Sequence, residues 1–228
     1  HPDEGERRAA RRETLARWYE GWARAAAANG VHAWEPTNEP NLGMPPERYI
    51  EDLLKPIYPA IKAGDPKANF LGGSICGLEN HAWVRRLYEL GGHAFFDGVS
   101  LHPYTGLGFD EAYRAELDLY GQVLRDFDDR EADLWMTESA WHRGWGYADY
   151  TYDRFQARRE SQARHAVVMH LNAEAMGIPR NKVYVFYLIE HGYNEFFLFY
   201  RAWPTSAAIS IQVMNECLRD ARFVREVP

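Results

Sequence analysis

Apolar positions along this chain repeat in two ways, at helical spacing and in short continuous runs, and the two alternate. In RRETLARWYEGWARAAAANG (11–30), Leu15, Trp18, Tyr19 and Trp22 recur at helical spacing and Asn29-Gly30 supplies a stop. VHAWEPTN (31–38) reads as a short strand. MPPERYIEDLLKPIYPAIKAGDP (44–66) opens on prolines suited to a helix N-terminus. It places Tyr49, Leu53, Leu54, Ile57 and Ile61 on one face, stops at Gly64, and should kink at Pro56 and Pro59. NFLGGSICG (69–77), FFDGVSLHPY (95–104) and DLWMTESAW (133–141) read as strands. HAWVRRLYELGG (81–92), FDEAYRAELDLYGQVLRDFDD (109–129) and the long 152–178 segment read as helices. KVYVFYLIE (182–190) is nearly all apolar, as expected for a strand buried on both faces. A last helix is predicted over 206–223.

Strands alternating with helices predict an α/β fold with a parallel sheet, doubly wound or closed as a barrel. No linker, low-complexity tract or short repeat divides the chain, so 1–228 reads as a single domain. No GxGxxG or P-loop marks a nucleotide site; Gly72-Gly73 and Gly91-Gly92 read as turns.

In such folds the reactive groups gather where strands end and βα loops begin. The first predicted strand ends in Asn38-Glu39, the third in His102 and Tyr104, and the fourth in Glu138 with Trp141 and His142 beyond it. The last ends at Glu190-His191. Two carboxylates at strand ends suit glycoside hydrolysis: one protonated to release the leaving oxygen, the other ionised to attack the sugar carbon. Taken alone, Glu39 also reads as a carboxylate at the positive end of a helix macrodipole, and Glu138 as a loop-edge acid. His102 alone also reads as a satisfied core histidine. Glu35 alternates with Thr37 and Glu39 and is expected to point inward as an ion-pair partner. Trp141 and Trp203 suit sugar-stacking platforms and core packing alike. Glu190 suits a sugar hydroxyl or a salt bridge.

WEPTNEPN, then SLHPY, then LWMTESAW, in this order, resemble the clan A glycoside hydrolases, retaining enzymes built on a (β/α)8 barrel. The resemblance spans nearly the whole chain and implies an incomplete TIM barrel, strands four to eight with their helices, strands one to three absent. It implies hydrolysis of a β-linked glycoside, with Glu39 as acid/base and Glu138 as nucleophile. Asn38 would donate to the sugar 2-hydroxyl, and His102 and Tyr104 would support the carboxylates. Trp141 and Glu190 complete the candidate substrate-binding set. No residue maps to the arginine that strand two of this clan supplies. The chain therefore reads as the interior of a longer enzyme or a shortened barrel. Open barrel edges invite pairing with another chain, so a homo-oligomer or a companion segment is expected. The alternative is a truncated homologue that binds carbohydrate without cleaving it, or serves assembly only; a metal-dependent hydrolase on a similar barrel is a further rival.

Charge narrows the partners. The 228 residues carry a formal net charge of −7, which speaks against a nucleic-acid or anionic-membrane surface. The arginines of GERRAARRE (5–13) are mixed with glutamates and read as a solvated helix face. Aromatics are high, at 14% with 8 Trp and 14 Tyr; many are expected in the core, and such a surplus also suits a cleft that stacks flat rings or sugars. Cys76 and Cys217 show no metal or disulfide spacing and are expected as free, buried thiols. The histidines form no recognisable metal set, with His165 and His170 read as ordinary helix residues, and no cofactor is called for. No apolar run reaches membrane-helix length and no signal peptide is evident, which leaves localisation unassigned.

Overall fold

The computed structural model describes residues 3–104, 111–129, 132–139, 152–185, 198–200 and 203–224, the side chains of 111–112, 152–159 and 200 excepted. In chain order the elements are α1 (Glu4–Ala27), β1 (Ala33–Trp34), α2 (Pro46–Tyr49), α3 (Lys55–Gly64), β2 (Asn69–Cys76), α4 (His81–Glu89), β3 (Gly98–His102) and α5 (Glu111–Asp126). Then follow β4 (Asp133–Ser139), α6 (Tyr152–Ala175), β5 (Val183–Val185), β6 (Phe199–Tyr200), β7 (Trp203–Pro204) and α7 (Ser206–Cys217). Strands β1 to β5 form one sheet in sequential order, and β6 and β7 form a separate two-stranded ladder. Parallel strands in chain order with intervening helices are the topology of part of a (β/α)8 barrel, in accord with the α/β expectation.

The chain falls into two compact units, His1–His102 with Leu119–Trp135, and Pro103–Asp118 with Met136–Pro228. In the first, β2 pairs in parallel with both β1 and β3. Its core is built from Phe70, Leu71 and Ile75 of β2 and Val99 and Leu101 of β3, all essentially inaccessible. Tyr49, Leu54, Ile57 and Ile61 cover them from the α2–α3 segment, matching the predicted apolar face except that Ile50 is buried and Leu53 only partly so. A carboxylate fixes the N-terminal end of the strands: Asp97 accepts from the Phe70 amide (2.8 Å) and the Tyr58 hydroxyl (3.0 Å) and pairs with Lys62 (2.8 Å). Burial first, and then this carboxylate, push the Tyr58 phenol up to about 12.

In the second unit β4 pairs in parallel with β5. Met136, Met169, Ala173, Ile178 and Met214 are among its buried apolar residues. Arg180 accounts for part of the polar closure, bonding the Leu218 carbonyl at 2.5 Å and Glu174 at 2.9 Å. Thr205 caps α7, its hydroxyl accepting from the Ala208 amide.

Several expectations change. The first strand is shorter than 31–38: ladder pairing covers Ala33 and Trp34, and Pro36 beyond has no amide to donate. The helix over 44–66 is not simply kinked at its prolines. It widens into a π-turn over Ile50–Leu54, where the Lys55 amide reaches back five residues to the Ile50 carbonyl. That widening sits just before Pro56, whose ring would clash with the carbonyl four residues back. Helix α3 then runs on through Pro59. Trp18 and Trp22, placed on the apolar face of α1, are more than half exposed and stack on each other. Tyr184 of β5 is 48% exposed, so this strand is not buried on both faces there; residues 186–190 lie outside the described ones. Neither cysteine forms a disulfide, as expected, yet neither is buried. Cys217 ends α7 on an exposed turn and Cys76 is half-buried. No described helix is long and apolar enough to cross a membrane.

Candidate active site

Glu39 is not the last residue of a strand. It opens the short 3-10 turn Pro40–Leu42 in a left-handed conformation, φ 46° and ψ 53°. That conformation costs an L-residue with a Cβ roughly 1–2 kcal/mol, so the surrounding loop must hold it. Two side chains do so. The Tyr19 hydroxyl of α1 donates to the Pro36 carbonyl at 2.8 Å. Asn41 pairs its whole amide with the Cys76 backbone, donating to the carbonyl at 2.9 Å and accepting from the N–H at 3.0 Å. The loop after β1 is thereby latched to the C-terminal end of β2.

From this loop Glu39 reaches His102, the last residue of β3, with Oε1 3.1 Å from Nδ1. His102 is 2% exposed and the Glu39 side chain 18%. The other ring nitrogen, Nε2, lies 3.1 Å from the Ser74 hydroxyl. Ser74 is also left-handed, φ 55°. It is the extra residue of a bulge: Gly73 pairs with Ser100 and Ile75 with Leu101, leaving Ser74 between them. The amides freed by the bulge are both satisfied by side chains. The Gly73 N–H donates to the Tyr49 hydroxyl at 3.1 Å and the Ser74 N–H to the Ser100 hydroxyl at 2.8 Å. Gly73 itself has φ 117°, and a Cβ there would stand 2.9 Å from the Ser100 carbonyl. Among the described residues three non-glycines have left-handed φ, and two of them are the ends of this one Glu39–His102–Ser74 chain. Strain held in place by surrounding structure is characteristic of functional sites. Glu35 lies close enough to act on Tyr49, whose phenol is raised well above its ordinary value, first by burial and further by the Glu35 charge.

Glu138 belongs to the second unit. It is the penultimate residue of β4, and its Oε1 accepts from the Tyr104 hydroxyl at 2.7 Å. Below it the Tyr113 hydroxyl contacts the Met136 sulfur at 3.7 Å. Burial raises this phenol far above its ordinary value. Ser139, next along β4, donates to the Tyr184 carbonyl at 2.9 Å and ties the end of β4 to β5.

The sequence-predicted residues therefore divide. Glu39 and His102 are hydrogen-bonded in the first unit, and Glu138 and Tyr104 in the second. Asn38 is exposed. Trp141 and Glu190, with His142 and His191, lie outside the described residues. Trp203 is 76% exposed on the β6–β7 hairpin and is no core residue. His165 and His170 each donate from Nδ1 to the carbonyl four residues earlier in α6, at 2.7 Å. Sequence reasoning passed over Asn41, Ser74 and Ser100. Asn41 was visible as the second asparagine of NEPN; the serines gave no signal, because a bulge in one strand shows only once its partner is known. A cavity of about 530 Å³ in the second unit, lined by Phe199, Pro204, Ile211 and Asn215 among others, includes none of the predicted site residues that are described.

No protein-family model and no curated protein matches the chain. Solved structures do. Xylanase 10B from Thermotoga maritima aligns with 92% of this chain and 69% of its own, at 16% identity and a TM-score of 0.57. The catalytic core of a xylanase A aligns with 87% of this chain and 69% of its own, at 16% identity and a TM-score of 0.61. A thermostable mutant of the Cellvibrio japonicus xylanase Xyn10A gives the same coverages, 87% and 69%, at 15% identity and a TM-score of 0.60. The chain thus has the fold of the clan A glycoside hydrolases, with (β/α)8-barrel xylanases as its structural neighbours.

Proposed function

We propose that the protein is a retaining glycoside hydrolase acting on β-linked carbohydrate, with Glu39 as acid/base and Glu138 as nucleophile. One observation carries the reading. Each carboxylate follows or ends a parallel strand and is hydrogen-bonded by one of the two residues flanking Pro103, Glu39 by His102 and Glu138 by Tyr104. In the first step Glu39 protonates the leaving oxygen as Glu138 attacks the anomeric carbon, giving a glycosyl ester. In the second, ionised Glu39 takes a proton from water, which displaces Glu138 with a second inversion and hence net retention. The phenol of Tyr104 donates to Glu138, which holds it as an acceptor aligned for attack. Exposed Asn38 next to the acid/base is the candidate donor to the sugar 2-hydroxyl. Trp141 and Glu190 are further substrate contacts in this reading, β1 to β5 standing as strands four to eight of one barrel domain over 1–228.

The mechanism requires the two carboxyl groups to lie about 5–5.5 Å apart. Chromogenic β-glycosides and xylan, the substrate named by the structural neighbours, are the first to assay. Glu138→Gln should abolish turnover with an unchanged circular dichroism spectrum, and a 2-fluoroglycoside should add one glycosyl mass to the Glu138 peptide of the wild type. Wild-type-like hydrolysis by that variant, an inverted product, or loss of activity on chelation would end this assignment. Oligosaccharide binding without turnover would favour the carbohydrate-binding alternative. Light scattering would show whether the chain self-associates to cover open strand edges.

A further inference from the structure

We propose that Ser74 is a positioning residue that sets the tautomer of His102: its hydroxyl donates to Nε2, so that Nδ1–H points at Oε1 of Glu39. The proton that Glu39 exchanges in the reaction then resides on its other oxygen, Oε2. The reaction itself rests on the hydrolase reading above; the tautomer assignment does not.

The assignment follows from hydrogen-bond accounting. The Ser74 hydroxyl is 3.1 Å from Nε2 of His102, and Ser74 is 1% exposed. Among the described residues this nitrogen is the hydroxyl's single partner. Were Nε2 protonated, it would donate into the hydroxyl, and the hydroxyl hydrogen would be left buried with no acceptor. A buried donor without a partner is costly. Were the hydroxyl to donate instead, Nε2 is the acceptor and the hydroxyl hydrogen is placed. A neutral imidazole with Nε2 as acceptor carries its hydrogen on Nδ1. That hydrogen faces Glu39 Oε1 at a heavy-atom distance of 3.1 Å. Oε1 is occupied as an acceptor, which leaves Oε2 to hold and release the exchangeable proton.

The strand is built to deliver this hydroxyl. A regular β2 would carry its side chains in strict alternation, whereas the bulge inserts Ser74 out of register and turns it toward His102. The left-handed backbone at Ser74 is held by the Ser100 hydroxyl, which accepts its amide, while Tyr49 accepts the amide of Gly73. Four side chains with no place in the chemistry of the sugar, counting Asn41 at the Glu39 loop, thus converge on the orientation of one imidazole and its carboxylate.

The test reads the tautomer directly. In ¹⁵N-labelled wild type at neutral pH, long-range ¹H–¹⁵N correlation should show His102 as the Nδ1–H form. Ser74→Gly keeps the left-handed backbone without steric cost and removes the hydroxyl together with its Cβ. It should give a mixed tautomer population, move the Glu39 limb of the pH–kcat profile, and lower kcat by about tenfold, the factor for one ordinary hydrogen bond, with KM little changed. Ser74→Ala, with the Cβ retained, should agree in tautomer and pH profile. A wild-type Nε2–H form, or a Ser74→Gly protein identical to wild type in both tautomer and pH profile, overturns the proposal. Because the spectra need no substrate, an Nδ1–H form that is lost in Ser74→Gly supports it even where no glycoside is turned over, a result that would sink the hydrolase reading alone.

Discussion

Gly64 closes α3 where that helix meets α1, and its replacement by alanine gives a prediction whose sign runs against helix propensity. Alanine is preferred over glycine inside helices by up to about 1 kcal/mol, less in a last turn. At Gly64, however, an added Cβ would stand 2.3 Å from the Glu20 carbonyl oxygen, 2.9 Å from the Ala23 Cβ and 3.1 Å from the Arg24 amide. Two of these atoms are backbone, so relief requires α1 as a whole to retreat by about an ångström. Ala23, Ile57 and Ile61, all at 0% exposure, would lose contact in that retreat. Overpacking of this kind costs about 1–3 kcal/mol, which exceeds any propensity gain. Gly21 on the same α1 is the control, because a Cβ there meets nothing within 4 Å; Gly21→Ala should stabilise by about 0.5–1 kcal/mol. Urea melts should place the two variants on opposite sides of wild type. In a chain of this length, thermal midpoints should move by about 2–4 °C per kcal/mol. Activity should follow the same split, since α1 carries Tyr19, whose hydroxyl holds Pro36 and the Glu39 loop. A Gly64→Ala protein as stable as wild type would refute the close approach of the two helices and with it this account of how the loop is held.

Two further outcomes follow from single hydrogen bonds. Tyr104→Phe removes the 2.7 Å donor to Glu138; a bond to a charged group contributes about 1.5–3 kcal/mol, so kcat on an aryl β-glycoside should fall about 10- to 100-fold with the melting curve little changed, and an unaltered kcat would remove Tyr104 from the site. His170 is 4% exposed, and burial, partly opposed by its bond to the Ala166 carbonyl, holds its pKa below the usual value near 6.5. The unfolded chain therefore takes up the proton first, so its contribution to stability is complete above about pH 6.5 and is lost as pH falls toward the folded value; denaturant midpoints between pH 7 and pH 5 should decline less in His170→Gln than in wild type, and parallel declines would count against a neutral buried imidazole.

Much of the architecture was legible because periodicity reports burial. The alternation of helical and continuous apolar runs matches the described elements, and the α2–α3 segment buries nearly the predicted face. Where the reading failed, tertiary partners decided. Trp18 and Trp22 have helical spacing, yet α1 meets α3 through small residues at Ala23 and Gly64, and the indoles stay outside. The π-turn before Pro56 relieves a clash that shows only as a proline in the sequence. Among the candidate residues, Glu39, His102, Tyr104 and Glu138 stood out as polar residues at the ends of apolar runs, and the structure pairs Glu39 with His102 in the first unit and Glu138 with Tyr104 in the second. Ser74, Ser100 and Asn41 did not stand out, because their roles depend on a register shift and a loop latch that join segments far apart in sequence.

The left-handed backbone at Glu39 has a consequence for how such a chain would drift. Asparagine or glycine would occupy that conformation more comfortably than glutamate, so a lineage valued only as a scaffold would gain stability by giving the acid up. A glutamate at this torsion sits against the grain of folding, and swapping it out should yield a sturdier protein and, on the hydrolase reading proposed above, a chemically silent one.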